Sequence, residues 1–119
     1  ADINWLTVIS SAKGKQGYLE PAQAQEVAQS HNLSASAPFL LDADGSMGRA
    51  YGAKTTPHMF IINPQGKVVY AGAIDDNDSA NPAVIPDSNN YVAAALDASL
   101  AGKVVGTASS RAYGCSVKY

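Results

Sequence analysis

The twenty residues from Ala53 to Gly72, AKTTPHMFIINPQGKVVYAG, constrain the fold of this chain more than any other stretch. Asn63-Pro64-Gln65-Gly66 has the chemistry of a tight turn. Asn suits the first position of a type I turn, Pro64 presets φ at the second, and Gly66 tolerates the positive φ that closes many hairpins of this length. The flanking runs predict a strand from His58 to Ile62 and another from Lys67 to Ala73, entered through a loop that ends in Thr56-Pro57. Met59-Phe60-Ile61-Ile62 and Val68-Val69-Tyr70-Ala71 are nearly free of polar interruptions, the pattern of strands covered on both faces. The expectation is a hairpin inside a core.

A chain of 119 residues, 46% hydrophobic and 15% charged, suits one ordinary domain with a single core. Its net charge of -2 argues against nucleic acid or an anionic membrane surface as the main partner. No run of 18 or more apolar residues occurs, and the opening ADINWLTVISS lacks the basic-then-apolar layout of a signal peptide. The single cysteine, Cys115, excludes an internal disulfide and a zinc site built from several thiolates, and leaves the compartment open, with the cytoplasm as the default.

In chain order, Asn4 to Ser10 (NWLTVIS) predicts a strand that starts with almost no lead-in. The loop Ser11-Ala12-Lys13-Gly14-Lys15-Gln16-Gly17 invites comparison with a phosphate-binding loop, but G-x-x-x-x-G-K-[ST] is absent and a solvated loop is expected. Glu20-Pro21 opens a helix through AQAQEVAQSH, with a thin apolar face of Ala24, Val27 and Ala28. Ala37 to Leu41 is a short strand. Asp42-Ala43-Asp44-Gly45 hints at a calcium loop, but its glycine falls too early and no glutamate closes a twelve-residue loop, so it reads as a turn. Ser46 is expected to cap a short helix through Tyr51 that stops at Gly52. After the hairpin comes a long polar loop from Asp75 to Asn89, in which Asp75, Asp76 and Asp78 are set against a bland solvated reading as ligands for a hard cation. Asn90 is placed to cap a helix from Tyr91 to Ala101 whose Val92, Ala95, Leu96 and Leu100 share one face, with Gly102 as its stop. Lys103 to Tyr119 reads as an irregular arm with at most one short strand. The division expected is therefore a domain over residues 1–102 and an arm over 103–119. Strands alternating with helices and ending in an antiparallel hairpin indicate an α/β domain with a mixed sheet of three to four strands and flanking helices.

Asp42-Ala43-Asp44-Gly45, Arg49-Ala50-Tyr51-Gly52-Ala53, Thr55-Thr56-Pro57 before an apolar strand, and Asn63-Pro64-Gln65-Gly66 before Val68-Val69-Tyr70-Ala71-Gly72 together resemble the thioredoxin superfamily. The closest resemblance is to its redoxin branch, which holds the alkyl hydroperoxide reductase/thiol-specific antioxidant proteins. From the residues alone, Pro57 reads as a trans proline at the first position of a strand, where no ladder donor is lost. The resemblance instead implies a cis-proline opposite an active-site cysteine, with Thr55, Thr56 and Pro57 offering main-chain groups to an extended substrate. His58 reads as a strand residue at the sheet edge, since His31 is its one histidine partner in the sequence and lies in another element. Members of the family begin with a strand and helix that carry the nucleophilic cysteine, and here Asn4 to Ser10 resembles the strand that follows that helix. The resemblance thus implies a truncated thioredoxin-like fold without catalytic activity as the chain stands; no cofactor or metal is expected.

Dithiol–disulfide exchange needs a second thiol to resolve the mixed disulfide, so one cysteine cannot cycle alone. Cys115, in RAYGCSVKY between Arg111 and Lys118, is left with three roles: an inert tail thiol, a resolving cysteine for a nucleophile supplied elsewhere, or an independent nucleophile. Binding or self-assembly through the Thr56-Pro57 loop and the sheet edges is the alternative function, with an extended peptide or a thiol protein as partner. In the family's sheet the strand before the active-site helix is central. Leaving its neighbours unpaired would cost about 1 to 3 kcal/mol per buried group, against a total domain stability of about 5 to 15 kcal/mol. The expectation is a homo-oligomer, a dimer with exchanged strands or joined sheet edges. Light scattering should give twice the mass of the chain; a monomer with every strand paired internally would overturn this.

Overall fold

The computed structural model describes residues 3–30, 39–77, 83, 86 and 88–119. The elements are β1 (Thr7–Ile9), α1 (Pro21–Ser30), β2 (Phe39–Leu41), α2 (Ser46–Tyr51), β3 (Thr55–Thr56), β4 (Met59–Ile62), β5 (Val68–Gly72), α3 (Tyr91–Leu100) and β6 (Cys115–Ser116). Pairing is mixed: β1 and β2 run parallel, whereas β3 with β6 and β4 with β5 are antiparallel. This α/β chain divides into two compact units, Ala1–Ala53 with Val117–Tyr119, and Lys54–Ser116.

In the first unit β1 pairs residue for residue with β2, from Thr7 opposite Phe39 to Ile9 opposite Leu41. The strand expected from Asn4 begins instead at Thr7, and Trp5 and Leu6 lie outside it, exposed. Ala37 and Pro38, at the start of the second expected strand, fall outside the described residues, as does His31 at the end of the first expected helix. Helix α1 has the thin face its composition implies, with Ala24 as its buried residue. The phosphate-loop comparison ends in a different contact: the Lys15 amino group donates to the Tyr119 carbonyl. Tyr119 also donates its hydroxyl to the Ala53 carbonyl at 2.6 Å, and the Arg49 guanidinium lies 4.6 Å from its ring centroid.

The start of α2 departs from the sequence reading. Ser46 is the first helical residue rather than its cap, and the cap position belongs to Gly45, at φ 72° and with no side chain to offer. Asp42 supplies the missing acceptor. Only 7% exposed, its carboxylate accepts the Met47 and Gly48 amides at 3.1 and 2.8 Å and the Ser10 hydroxyl at 2.6 Å. Asp44 accepts the Ser46 amide at 3.0 Å. The D-x-D-G run is thus a turn that turns its carboxylates onto orphan helix N–H groups. The far end follows expectation, with Gly52 at φ 74° and the Gly52 and Ala53 amides returning to Arg49 and Gly48.

The second unit is built on the hairpin. Gly66 (φ 79°) donates its amide to the Asn63 carbonyl at 2.9 Å, and the Asn63 side chain accepts the Gln65 and Lys67 amides. Phe60 pairs with Ala71 and Ile61 with Tyr70, but Ile62 pairs with Val68, so a bulge absorbs one residue of β5. Coverage is uneven: Tyr70 and Gly72 are buried, while Ile62 and Val68 beside the turn stay 47% and 45% exposed. The core is Tyr70, Val92 and Ala95, with Met59, Ile61, Tyr91, Leu96 and Val105 packed around it, so α3 lies on the hairpin. The Asn90 side chain caps α3 by accepting the Ala93 amide at 2.8 Å, and Leu100, expected on the packed face, is half exposed.

Tyr70 has no exposed surface and closes a ring of hydrogen bonds. Its hydroxyl donates to the Ala73 carbonyl, the Ala73 amide donates to Ser110 Oγ at 3.0 Å, and Ser110 Oγ, 2.7 Å from the Tyr70 oxygen, donates back. This ring draws the arm after α3 against β5, where Ala71 exchanges main-chain bonds with Ala108 and Ser110. Gly72, at φ 147°, makes the approach possible, because a Cβ there would lie 2.5 Å from the Ser110 carbonyl.

Burial alone would raise the Asp42 carboxyl, but the hydrogen bonds from Ser10, Gly48 and Met47 outweigh it and hold it below its ordinary 3.8. A depressed folded-state carboxyl contributes stability that is present above the unfolded value and lost as pH falls through the folded one. Denaturant titration should therefore show stability falling below about pH 4, a component absent from Asp42→Asn. At neutral pH, Asp42→Ala should cost about 1.5 to 3 kcal/mol, the worth of hydrogen bonds to a charged group.

Candidate functional site

The site assembles in the second unit from two segments almost sixty residues apart. Thr55 and Thr56 form β3 against Cys115 and Ser116 of β6, with Thr55 opposite Ser116 and Thr56 opposite Cys115. The Thr56–Pro57 peptide bond is cis. Thr55 Oγ1 donates to the Pro57 carbonyl at 2.8 Å, which ties the two sides of the proline together. Gly114 lies against the Thr56 carbonyl and the proline ring: a Cβ built on it would be 2.3 Å from the oxygen and 3.5 Å from Pro57 Cδ. Thr56, Pro57 and the Cys115 thiol are exposed.

Four residues singled out in the sequence, Thr55, Thr56, Pro57 and Cys115, thus meet in one place. The sequence did not place the thiol there, since the tail reads as an irregular arm. Gly114 and Ser116, which complete the site, were not singled out; the only local sign of them is a glycine directly before the cysteine and a β-branched Val117 shortly after it. The strand at Thr55–Thr56 replaces an expected loop because its partner is remote in sequence.

His58 borders the site. Its Nδ1 accepts the Lys54 amide at 3.2 Å and its ring stacks on Phe60 at 4.5 Å with an interplanar angle of 17°. Burial first, and the positive charge of Lys54 second, hold it below its ordinary 6.5. Both effects favour the neutral imidazole, in keeping with Nδ1 as the acceptor of the Lys54 amide.

Of the aspartates weighed from sequence as cation ligands, Asp75 and Asp76 have other partners. Asp75 Oδ1 accepts the Asn77 amide at 3.1 Å and the Tyr113 hydroxyl, while Asp76 accepts the Asn89 amide at 2.8 Å. Asp78 lies outside the described residues, and among those described no three His, Cys, Asp or Glu side chains cluster to hold a metal ion.

A mixed α/β unit with a proline-led strand, an antiparallel hairpin and a helix packed on it defines a thioredoxin-like fold. The redoxin family model matches residues 6–92, and the chain belongs to the redoxin family. Cys115 and Gly114 lie beyond the matched span. The chain is similar to the crystal structure of an uncharacterized conserved protein from Geobacillus kaustophilus, at 30% identity and a TM-score of 0.81 over 96% of this chain and 58% of that one. It is also similar to a hypothetical protein from Sinorhizobium meliloti 1021, at 29% identity and a TM-score of 0.79 over 96% and 60%. The chain therefore spans about three fifths of the length of these two proteins. Among curated proteins none matches the chain.

Protonating His58 would abolish its acceptor role toward Lys54. A base whose folded-state pKa is lowered contributes stability that is full above the unfolded value and falls as pH drops. NMR titration should place the His58 midpoint below 6.5. The stability lost below that pH should be smaller in His58→Gln.

Proposed function

We propose that this chain is the redoxin portion of a thiol–disulfide or peroxide redox system, with no turnover of its own, and that Cys115 serves as its resolving thiol. The observation that carries the reading is the register of Cys115 with Thr56, beside Pro57. It sets the one thiol of the chain, exposed, against the segment that the family resemblance assigns to an extended substrate. In the resolving step the Cys115 thiolate attacks the sulfur of a cysteine sulfenic acid borne by another polypeptide segment. An S–S bond forms, the S–O bond breaks, and the departing hydroxide leaves as water with the thiol proton. A mixed disulfide is resolved in the same way, with a thiolate as leaving group. Either route needs a second sulfur for a full cycle, and the sequence contains one cysteine.

Insulin reduction and peroxide consumption, measured for the wild type and Cys115→Ser, test the reading. Neither protein should turn over. Incubation with glutathione disulfide should add one glutathione to the wild type and none to Cys115→Ser, by intact mass. Catalytic turnover by the wild type that disappears in Cys115→Ser would instead make Cys115 an independent nucleophile.

A further inference from the structure

We infer that Asp75 is a positioning residue for Cys115, acting through the Tyr113 hydroxyl to hold the thiol opposite Thr56. The inference rests on the resolving role proposed for Cys115 and deepens it. Cys115 is exposed, so packing does little to orient it, and its place is set by the main chain on either side. Beyond Ser116 the chain is anchored where the Lys118 carbonyl accepts the Ala12 amide at 2.7 Å and the Tyr119 hydroxyl donates to the Ala53 carbonyl at 2.6 Å. Before Cys115 stands Gly114, at φ 131° and exposed. Glycine has the widest backbone freedom of any residue and no side chain with which to fix itself. The nearest side-chain anchor upstream of the thiol is therefore Tyr113, whose hydroxyl donates to Asp75 Oδ1.

Asp75 is a fixed post for that bond. Its main chain bridges Asn90, and its neighbours are held to the start of α3 as well: the Val92 amide donates to the Ile74 carbonyl at 3.3 Å and the Asp76 amide to the Asn89 carbonyl at 3.1 Å. The Asn77 amide, 3.1 Å from the same Oδ1, orients the carboxylate. Helix α3 packs through Val92 and Ala95 on a core that includes Met59, and Thr56 lies three residues before Met59. Asp75 and Thr56 are thus both referred to one packed core. A hydrogen bond to a carboxylate is roughly twice as strong as one between neutral groups. The Tyr113 bond therefore restrains the arm one residue short of its freest joint, in the frame that carries Thr56. Held so, the thiol has a high effective concentration against the Thr56 position, which is what a resolving thiol needs.

Thr56→Cys makes the positioning measurable, because directly opposed residues of an antiparallel pair have Cα atoms about 4.5 to 5.5 Å apart, within the span of a disulfide. In that protein glutathione disulfide should oxidise the two opposed thiols to one S–S bond and itself be reduced to two glutathione thiols. The equilibrium constant reports how closely the thiols are held and does not follow global stability while the protein stays folded. Adding Tyr113→Phe should lower the constant at least about tenfold, a rise in potential of about 30 mV. Asp75→Ala should do the same, and the two together should do no more than either, since each group acts through the other. Asp75→Asn, which keeps an Oδ1 acceptor for the phenol, should restore most of the constant. An unchanged constant in folded Tyr113→Phe, additive losses in the double variant, or no disulfide in the Thr56→Cys protein would each overturn the inference. If Asp75→Ala does not fold, Tyr113→Phe decides alone. The resolving role is judged separately, by glutathione addition to the wild type. A lowered constant without that addition keeps the positioning and removes the role, and an unchanged constant with it does the reverse.

Discussion

The hydrogen-bonded ring of Tyr70, Ala73 and Ser110 is the interaction on which the Lys54–Ser116 unit depends. Tyr70 fills the core between the hairpin and α3, and a phenol buried so fully must place its hydroxyl on partners or lose the desolvation cost of that group. Burial raises its pKa above the ordinary 10.0, more than the Ser110 bond draws it back, so it remains a neutral donor. One side chain thus joins the apolar packing of the unit to the path of the arm. The arm approaches β5 because Ser110 answers the tyrosine and because Gly72 leaves room for it.

From that anchor the rest of the site follows by chain length. Once Ser110 is fixed on β5 and Tyr113 on Asp75, the next residues reach β3, and Gly114 allows the backbone to pass against the Thr56 carbonyl. Cys115 then falls opposite Thr56. The Cys115 thiol is thus positioned from a buried tyrosine on another strand, with Gly114 as the one local feature of RAYGCSVKY that the placement uses. The first unit uses a related device, in which the buried Asp42 carboxylate, at the end of β2, satisfies amides in α2 that its own cap residue, a glycine, cannot.

How much of this could be read from the residues depends on how local each determinant is. The turn at Asn63–Gly66, the capping of α3 by Asn90, the stop at Gly52 and the apolar face of α3 with Val92 and Ala95 all rest on residues within a few positions of one another. Each was legible. The misassigned cap at Ser46 shows the limit, since Asp42 reaches into the helix from four positions upstream of Ser46 and only the left-handed Gly45 makes that geometry available. The overlong first strand shows another, because the ladder it belongs to is made with a segment remote in sequence.

The sequence by itself determined the α/β class, the hairpin and its turn and the redoxin family, and it offered Thr55, Thr56, Pro57 and Cys115 as candidates. Short-range hydrogen bonding and hydrophobic periodicity carry that information, and both are written in consecutive residues. Only the tertiary structure decided that those four residues meet, that Gly114 lets the tail strand lie against Thr56, and that Tyr70 and Ser110 hold the arm in place. A two-residue ladder between segments almost sixty residues apart has no periodic signature. It exists because long-range packing has already brought its strands together.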